Sequence, residues 1–336
     1  MNTFVIAEAG ANHNKNFNKA LQLIDVAKLS GSSAVKFQTY SSKSLYSKNT
    51  PDFAGYKDIN KLIKNIELPR EWQKDLKQYC DESDIEFMST PFDEKAIDEL
   101  YDLGVKRFKI AGFEARDPRL VKYAARTGLP LIISAGIGVD LVTIQYIIDW
   151  VKEENSNADL TFLHCNNAYP TPFEDSCLLQ IKRIQNMNYS HNINVGFSDH
   201  TPGILAPPLA VALGATVVEK HFTLSRSLPG PDHAFAIEPD ELIQMVKDIK
   251  TAEKCLKEKI GLTDSEKKFT KAMRSVVLKK DMKNGENFST ENITTKRPSI
   301  SGSVSSMEYF NLIKSGCYIK NDKKEDDILL WEDVGA

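Results

Sequence analysis

His200 and His221 each lie near the end of a short segment rich in β-branched and aromatic residues, NVGFSDHT (194–201) and TVVEKHF (216–222). Neutral imidazole is a common ligand of divalent metals, and two such ligands with open positions suit a catalytic Lewis acid. Two histidines satisfied by hydrogen bonds in a polar pocket would leave the same trace. His164 and His13 fall at comparable places, and each alone reads as structural. A second set is cationic and hydroxylic: Lys36, Lys109, Ser89, Thr90, Ser134 and Asn167. Two ammonium groups with small donors suit a compact dianion, such as the phosphate and carboxylate of a three-carbon acid. One lysine could instead form a Schiff base, giving an aldolase or lyase with no need of a metal. The histidine pair tilts the balance toward the metal. Glu8, followed by Asn12 and His13, offers a general acid or base, or a carboxylate that only orients a lysine. Asp232, in the loop LPGPDH (228–233), can hydrogen-bond sugar hydroxyls, although such a run taken alone is an ordinary turn.

What these residues share is position. Eight short strand-like segments recur along the chain, at 4–10, 34–40, 86–92, 107–112, 129–136, 160–167, 194–201 and 216–222. Glu8, Lys36 with Gln38, Ser89 with Thr90, Lys109, Ser134, Asn167, Asp199 with His200, and Lys220 with His221 fall near their C-terminal ends. Between the segments lie tracts of helical periodicity, several ending at Gly, which favours the left-handed conformation that stops a helix. Pro207 and Pro208 suit a first helical turn. Strand–helix alternation of this kind predicts a parallel (β/α)8 TIM barrel, whose strand ends converge on one face. Apolar runs that stop at Lys or Glu are hard to explain by packing alone, because a buried charge needs a partner. A GxGxxG fingerprint and a P-loop are both absent, which argues against nucleotide-binding alternatives.

The division of the chain expected from this pattern is a barrel over 1–258, a lysine-rich connector over 259–274 and a small domain over 275–336. About 60 residues are too few for a second catalytic core but enough for a lid or docking module. The net charge of −3 offers no global field for nucleic acid or an anionic membrane. No apolar run approaches the length of a membrane span. The five cysteines are scattered, with no CxxC pair, as expected of reduced thiols in a cytoplasmic protein.

Taken together, the segments IAEAGANHN, VKFQTY, STPFD, FKIA…E, HCNNAYPTP, VGFSDHT, ALGATVVEKHFTL and PGPDH, in order from residue 6 to 233, closely resemble the sialic acid synthase family, and KRPSISGS follows near 296–303. That family includes the N-acetylneuraminate, legionaminate and pseudaminate synthases. The resemblance implies a TIM barrel joined to a small antifreeze-like (SAF) domain, in a domain-swapped homodimer whose small domains cap the partner's barrel. It implies a divalent metal, usually manganese, with magnesium or cobalt as alternatives, held by His200 and His221. Phosphoenolpyruvate would be held by Lys36, Thr90, Lys109, Ser134 and Asn167, with Ser89 and Glu114 also among the substrate-binding residues. Gln38, Tyr169 and Asp232 would contact the amino sugar. Arg297 would reach across the dimer to its N-acyl group, and Glu8 would transfer protons. The implied reaction is attack of C3 of phosphoenolpyruvate on the open-chain aldehyde, addition of water to the oxocarbenium carbon, and loss of phosphate by C–O cleavage.

Two positions depart from that pattern: Gly112 stands where relatives often carry a phosphate-contacting serine, and Ala135 where threonine is usual. The tail after Gly316 is only loosely like the usual small-domain ending. The PGPDH loop resembles the N-acetylneuraminate and legionaminate branches, which accept manno-configured sugars, more than the pseudaminate branch with its altrose substrate. A reading from another class, a non-catalytic sugar- or ice-binding module, leaves the converging Lys, His and Glu unexplained.

Overall fold

The protein is described from a computed structural model covering residues 2–52 and 57–336. All eight strand segments form: β1 (Phe4–Glu8), β2 (Ala34–Thr39), β3 (Glu86–Pro91), β4 (Phe108–Ile110), β5 (Leu131–Ala135), β6 (Leu160–Cys165), β7 (Asn194–Asp199) and β8 (Val217–His221). They make one sheet in the order β3-β2-β1-β8-β7-β6-β5-β4, and every hydrogen-bonded pair is parallel. β3 and β4, at the two ends of that order, pack against each other, so the sheet curls into a nearly closed (β/α)8 barrel.

Helices follow the strands for local reasons. Asn16, Asp93, Asp117 and Asp140 cap helices Phe17–Ser30, Glu94–Asp102, Pro118–Arg126 and Leu141–Glu154, each side chain accepting a first-turn N–H that has no partner within the helix. Gly31 ends the first of these at φ 77°, a left-handed turn that costs a residue with a Cβ far more. Pro207 and Pro208 do lie in the first turn of helix Ala206–Ala212. Helices Ile59–Ile66 and Leu179–Gln185 were not expected; the second is only 7 residues long, too short to show a period.

Two apolar layers hold the barrel. Ile6, Ala34, Met88, Ile132, Leu163 and Val217 fill its interior toward the bottom. Val5, Val35, Phe37, Phe87, Phe162 and Val218 pack outward against the helices. Only glycine fits at 196 on β7, since a Cβ there would lie 2.3 Å from the Val217 carbonyl oxygen of β8.

The chain separates into two compact units, Met1–Lys257 and Glu258–Ala336. The second has its own core of Val276, Leu278, Met282, Phe288, Ile293, Val304, Leu312, Ile319 and Leu329. It contains two small antiparallel pairs, β9 (Ser275–Leu278) with β10 (Ile293–Lys296) and β11 (Tyr318–Ile319) with β12 (Val334–Gly335). The segment read as a connector carries a short helix, Asp264–Lys267, and its end is tied to this unit by bonds from Ser299 N–H to Lys271 O (3.0 Å) and Ser306 N–H to Arg274 O (3.1 Å). The five cysteines are free thiols. Among the described residues no helix is long and apolar enough to cross a membrane.

Candidate active site

Side chains alternate along a strand, so one residue in two faces the barrel axis. Above the interior apolar layer the axis-facing positions are Glu8, Lys36, Thr90, Lys109, Ser134, Cys165, Ser198, Glu219 and His221, one or more from every strand. They line a narrow pocket at the C-terminal mouth, with Gln38, Gly112, Asn167, Tyr169 and His200 at its rim. Its free volume is about 40 Å3.

Four buried charges form its floor. The Lys36 ammonium lies 2.7 Å from Glu8 Oε2 and 3.6 Å from Glu219 Oε2, and donates to Thr90 Oγ1 at 2.9 Å. The Lys109 ammonium lies 3.5 Å from Glu219 Oε1 and donates to Ser134 Oγ at 2.8 Å. Glu219 thus bridges both lysines, and Ser198 donates to it at 3.2 Å. Burial alone would raise its carboxyl, but Lys109 and Lys36 outweigh burial and hold it below the usual carboxylate range. Burial alone would lower Lys36, but Glu219 and Glu8 keep it above its ordinary value. Burial lowers Lys109, with Glu219 offsetting only part of the effect. Glu8 must share its one cation with Glu219, so burial dominates and pushes it up to about 7 even though Lys36 and Gln38 (Nε2 to Oε1, 2.7 Å) donate to it.

Glu219 was absent from the reading of the sequence, which chose Lys220 with His221 on the same strand. Alternation excludes that pair. Lys220 points outward and is paired with Asp199 at 2.7 Å, so neither Lys220 nor Asp199 reaches the pocket. The signal that could have found Glu219 is its spacing of two from His221. Ser89 is corrected in the same way: it faces the helix layer, sharing a 2.7 Å hydrogen bond with Thr39, while its neighbour Thr90 faces the axis. Glu114 is not on the pocket wall; it lies beyond β4, where burial raises its carboxyl to about 7. Arg297 belongs to the second unit, exposed directly after β10.

The two histidines are brought together, with ring centroids 5.3 Å apart. His200 Nδ1 lies 2.6 Å from the Asn166 carbonyl oxygen, so it carries the proton and Nε2 keeps the lone pair. His221 Nδ1 is buried with no hydrogen-bond partner; its nearest polar neighbour in the loop, Asp232 Oδ2, is 3.7 Å away. Burial lowers both rings below their ordinary values, leaving them neutral near pH 7. Neutral, converging nitrogens, one of them orphaned, fit a divalent metal. Among the described residues no cluster of three or more His, Cys, Asp and Glu side chains completes a cage. Water and substrate would fill the remaining positions, as an open catalytic site requires. His13, packed between Phe37 and Trp72, and His164, bonded to the Ser176 carbonyl at 2.8 Å, are structural.

The rim is organised by two loops. Tyr169, joined to Pro170 by a cis peptide, rests on His200 with centroids 4.2 Å apart. Asp232 sits over Gly10, where a Cβ would approach its Oδ2 to 2.9 Å, and burial raises its carboxyl to about 6. Asn167 Oδ1 accepts the Ile137 N–H at 2.7 Å and would lie 2.0 Å from a Cβ at Gly136 and 2.9 Å from one at Gly112. Gly112 therefore admits this placement of Asn167, which a serine there would displace. A larger cleft of about 820 Å3 opens around Tyr40, Lys43, Glu67 and Arg70, where Arg70 pairs with Asp93 at 3.2 Å and Lys15 with Glu67 at 3.7 Å.

A protein-family model described as the NeuB family matches residues 23–261. The chain is 38% identical over 349 residues to the N,N'-diacetyllegionaminic acid synthase of Legionella pneumophila, an alignment covering 100% of this chain and 96% of that protein. It is 38% identical over 304 residues to the pseudaminic acid synthase of Campylobacter jejuni, covering 88% and 87%. A crystal structure of the N-acetylneuraminic acid synthetase of Leptospira borgpetersenii in complex with citrate superimposes with a TM-score of 0.72 at 33% identity, covering 80% of this chain and 90% of that one.

Proposed function

Because this chain belongs to the NeuB family, and so is a nonulosonic acid synthase that forms a carbon–carbon bond, we propose that it condenses phosphoenolpyruvate with an N-acetylated amino-hexose, N-acetylmannosamine or 2,4-diacetamido-2,4,6-trideoxymannose, and releases phosphate. The observation that carries this reading is the pairing of two buried lysines, each holding a hydroxyl, with two neutral histidines in one barrel mouth. Lys36 with Thr90 and Lys109 with Ser134 form preset donors for the phosphate and carboxylate. With about 40 Å3 free, the ligand enters by taking over bonds now made between protein groups. A divalent metal, manganese by preference, would be held by His200 and His221 and would supply Lewis acidity at the aldehyde oxygen. Asp232 and Tyr169 overhang the same point and orient the open-chain sugar. C3 of phosphoenolpyruvate then bonds to the aldehyde carbon, water adds at C2, and the C2–O bond to phosphorus breaks. With phosphoenolpyruvate labelled at the bridging oxygen, the label should leave in phosphate; label retained in the sugar acid would contradict this route.

Glu8 acts as the base toward the attacking water, because Lys36 and Gln38 donate to its oxygens and stabilise the ionised form. A carboxyl raised to about 7 is mostly protonated at pH 6, so turnover should rise through pH 7 and level off above it. Glu8→Gln should remove that limb from the rate profile along with most of the activity. A limb that persists in the variant would assign the ionisation elsewhere.

The second unit acts as a SAF-type cap in a domain-swapped homodimer, with Arg297 serving the partner's barrel. A guanidinium offers directed hydrogen bonds to an amide carbonyl, which suits an N-acyl group. Arg297→Ala should then raise KM for the sugar far more than for phosphoenolpyruvate. Mixing Glu8→Ala with Arg297→Ala chains should restore activity, since one site of each heterodimer carries neither lesion. If Arg297 serves its own barrel, both sites stay defective and mixing restores nothing.

A further inference from the structure

Asp199 and Lys220 take no part in the pocket, yet they form a buried ion pair directly behind the two histidines, at 1% and 2% exposure. They are register partners on the parallel strands β7 and β8, so the residues that follow them, His200 and His221, stand at the same level on adjacent strands. Side chains alternate, so Asp199 and Lys220 face the helix layer while the histidines turn toward the mouth. The Lys220 ammonium lies 2.7 Å from Asp199 Oδ2 and donates to the Thr201 carbonyl oxygen at 2.5 Å. Asp199 Oδ1 in turn accepts the Thr201 N–H at 2.8 Å. One ammonium, on the residue before His221, therefore grips the chain on both sides of His200. The other outward positions of these strands, Val195, Phe197 and Val218, are apolar members of the core.

We infer that the Asp199–Lys220 pair is a positioning device for the metal site, fixing the separation and aim of the His200 and His221 rings. The inference rests on the metal reading above. Packing alone gives no reason for charge in this layer, since replacing a buried ion pair by apolar residues of similar volume is often neutral or stabilising. What apolar residues would not supply is direction. The His200 carbonyl oxygen accepts the Thr171 N–H at 2.9 Å and its Nδ1 is bonded to the Asn166 carbonyl, which anchors it to the loop after β6. The ammonium anchors it from the other side, to the strand that carries His221.

The test titrates manganese into the metal-free chain and follows free Mn2+ by its paramagnetic resonance signal, with no turnover involved. Asp199→Asn together with Lys220→Met removes both charges at once, strands no ion, and leaves an amide oxygen for the Thr201 N–H. The double variant should keep its urea midpoint and bind manganese about 10- to 100-fold more weakly, the usual cost of losing a group that orients a metal ligand. Turnover should recover at saturating manganese, with KM for phosphoenolpyruvate unchanged. Asp199→Asn alone keeps the side chain's shape and is the milder probe should the double variant unfold; it should weaken manganese binding by a smaller factor. Native affinity in these variants overturns the inference and makes the pair a clamp between strands and nothing more. If the native chain binds no manganese, the metal reading fails first and takes this inference with it.

Discussion

His221→Ala should lower kcat/KM by about a thousandfold or more, because the Lewis acid proposed to sit on the histidine pair would contribute several kcal/mol and each 1.36 kcal/mol is tenfold in rate. The ring is fully buried with an orphaned nitrogen, so its removal relieves an unsatisfied polar atom and should leave the barrel folded. Binding supplies a readout independent of turnover. A ligand present at 100 times its Kd stabilises by about 2.7 kcal/mol, so manganese should raise the melting temperature of the native chain and not that of the variant. His200→Ala should behave alike, and replacing Asn166 would not, since only its backbone carbonyl orients His200. Full turnover in excess chelator would sink the metal reading. It would turn attention to Lys109, whose lowered pKa suits a Schiff base, and borohydride trapping with substrate would then label the chain.

The second large effect is expected at Glu219. Its carboxylate faces both lysines, at 3.6 Å from Lys36 and 3.5 Å from Lys109. Glu219→Gln would leave two buried ammonium groups sharing Glu8 alone. Breaking a buried ion pair by removing one partner costs about 3–5 kcal/mol, so the denaturation midpoint should fall by that equivalent. A dianion can replace the missing charge, and inorganic phosphate should therefore stabilise the variant more than the native chain. A variant that melts like the native chain, with no added response to phosphate, would show that Glu219 does not neutralise the lysines.

How much of this was legible from sequence follows from how a barrel buries its strands. The eight segments and their C-terminal polar residues were readable because charge at the end of an apolar run is conspicuous. Which of two adjacent residues faces the axis was not readable, because both faces of a parallel barrel strand are buried and Val217 and Val218 look alike. That is why Lys220 was taken with His221 and Glu219 passed over, and why Ser89 was taken with Thr90. Counting in twos from one secure residue on each strand resolves both cases. Helix Leu179–Gln185 escaped because it spans only 7 residues and starts just after Cys177, a non-glycine residue at φ 44°.

Asn167 occupies the space that side chains at 112 and 136 would need. Its presence couples the two positions. A Cβ at 112 would come to 2.9 Å from Asn167 Oδ1, so a side chain there and the amide in this orientation are coupled, and an exchange at one position is felt at the other. Serine at 112 would push the Asn167 amide, the free end of a flexible side chain, out of this position and away from the Ile137 N–H. Sequences that differ at 112 are then better compared as two alternative arrangements of this rim than as stronger and weaker versions of one.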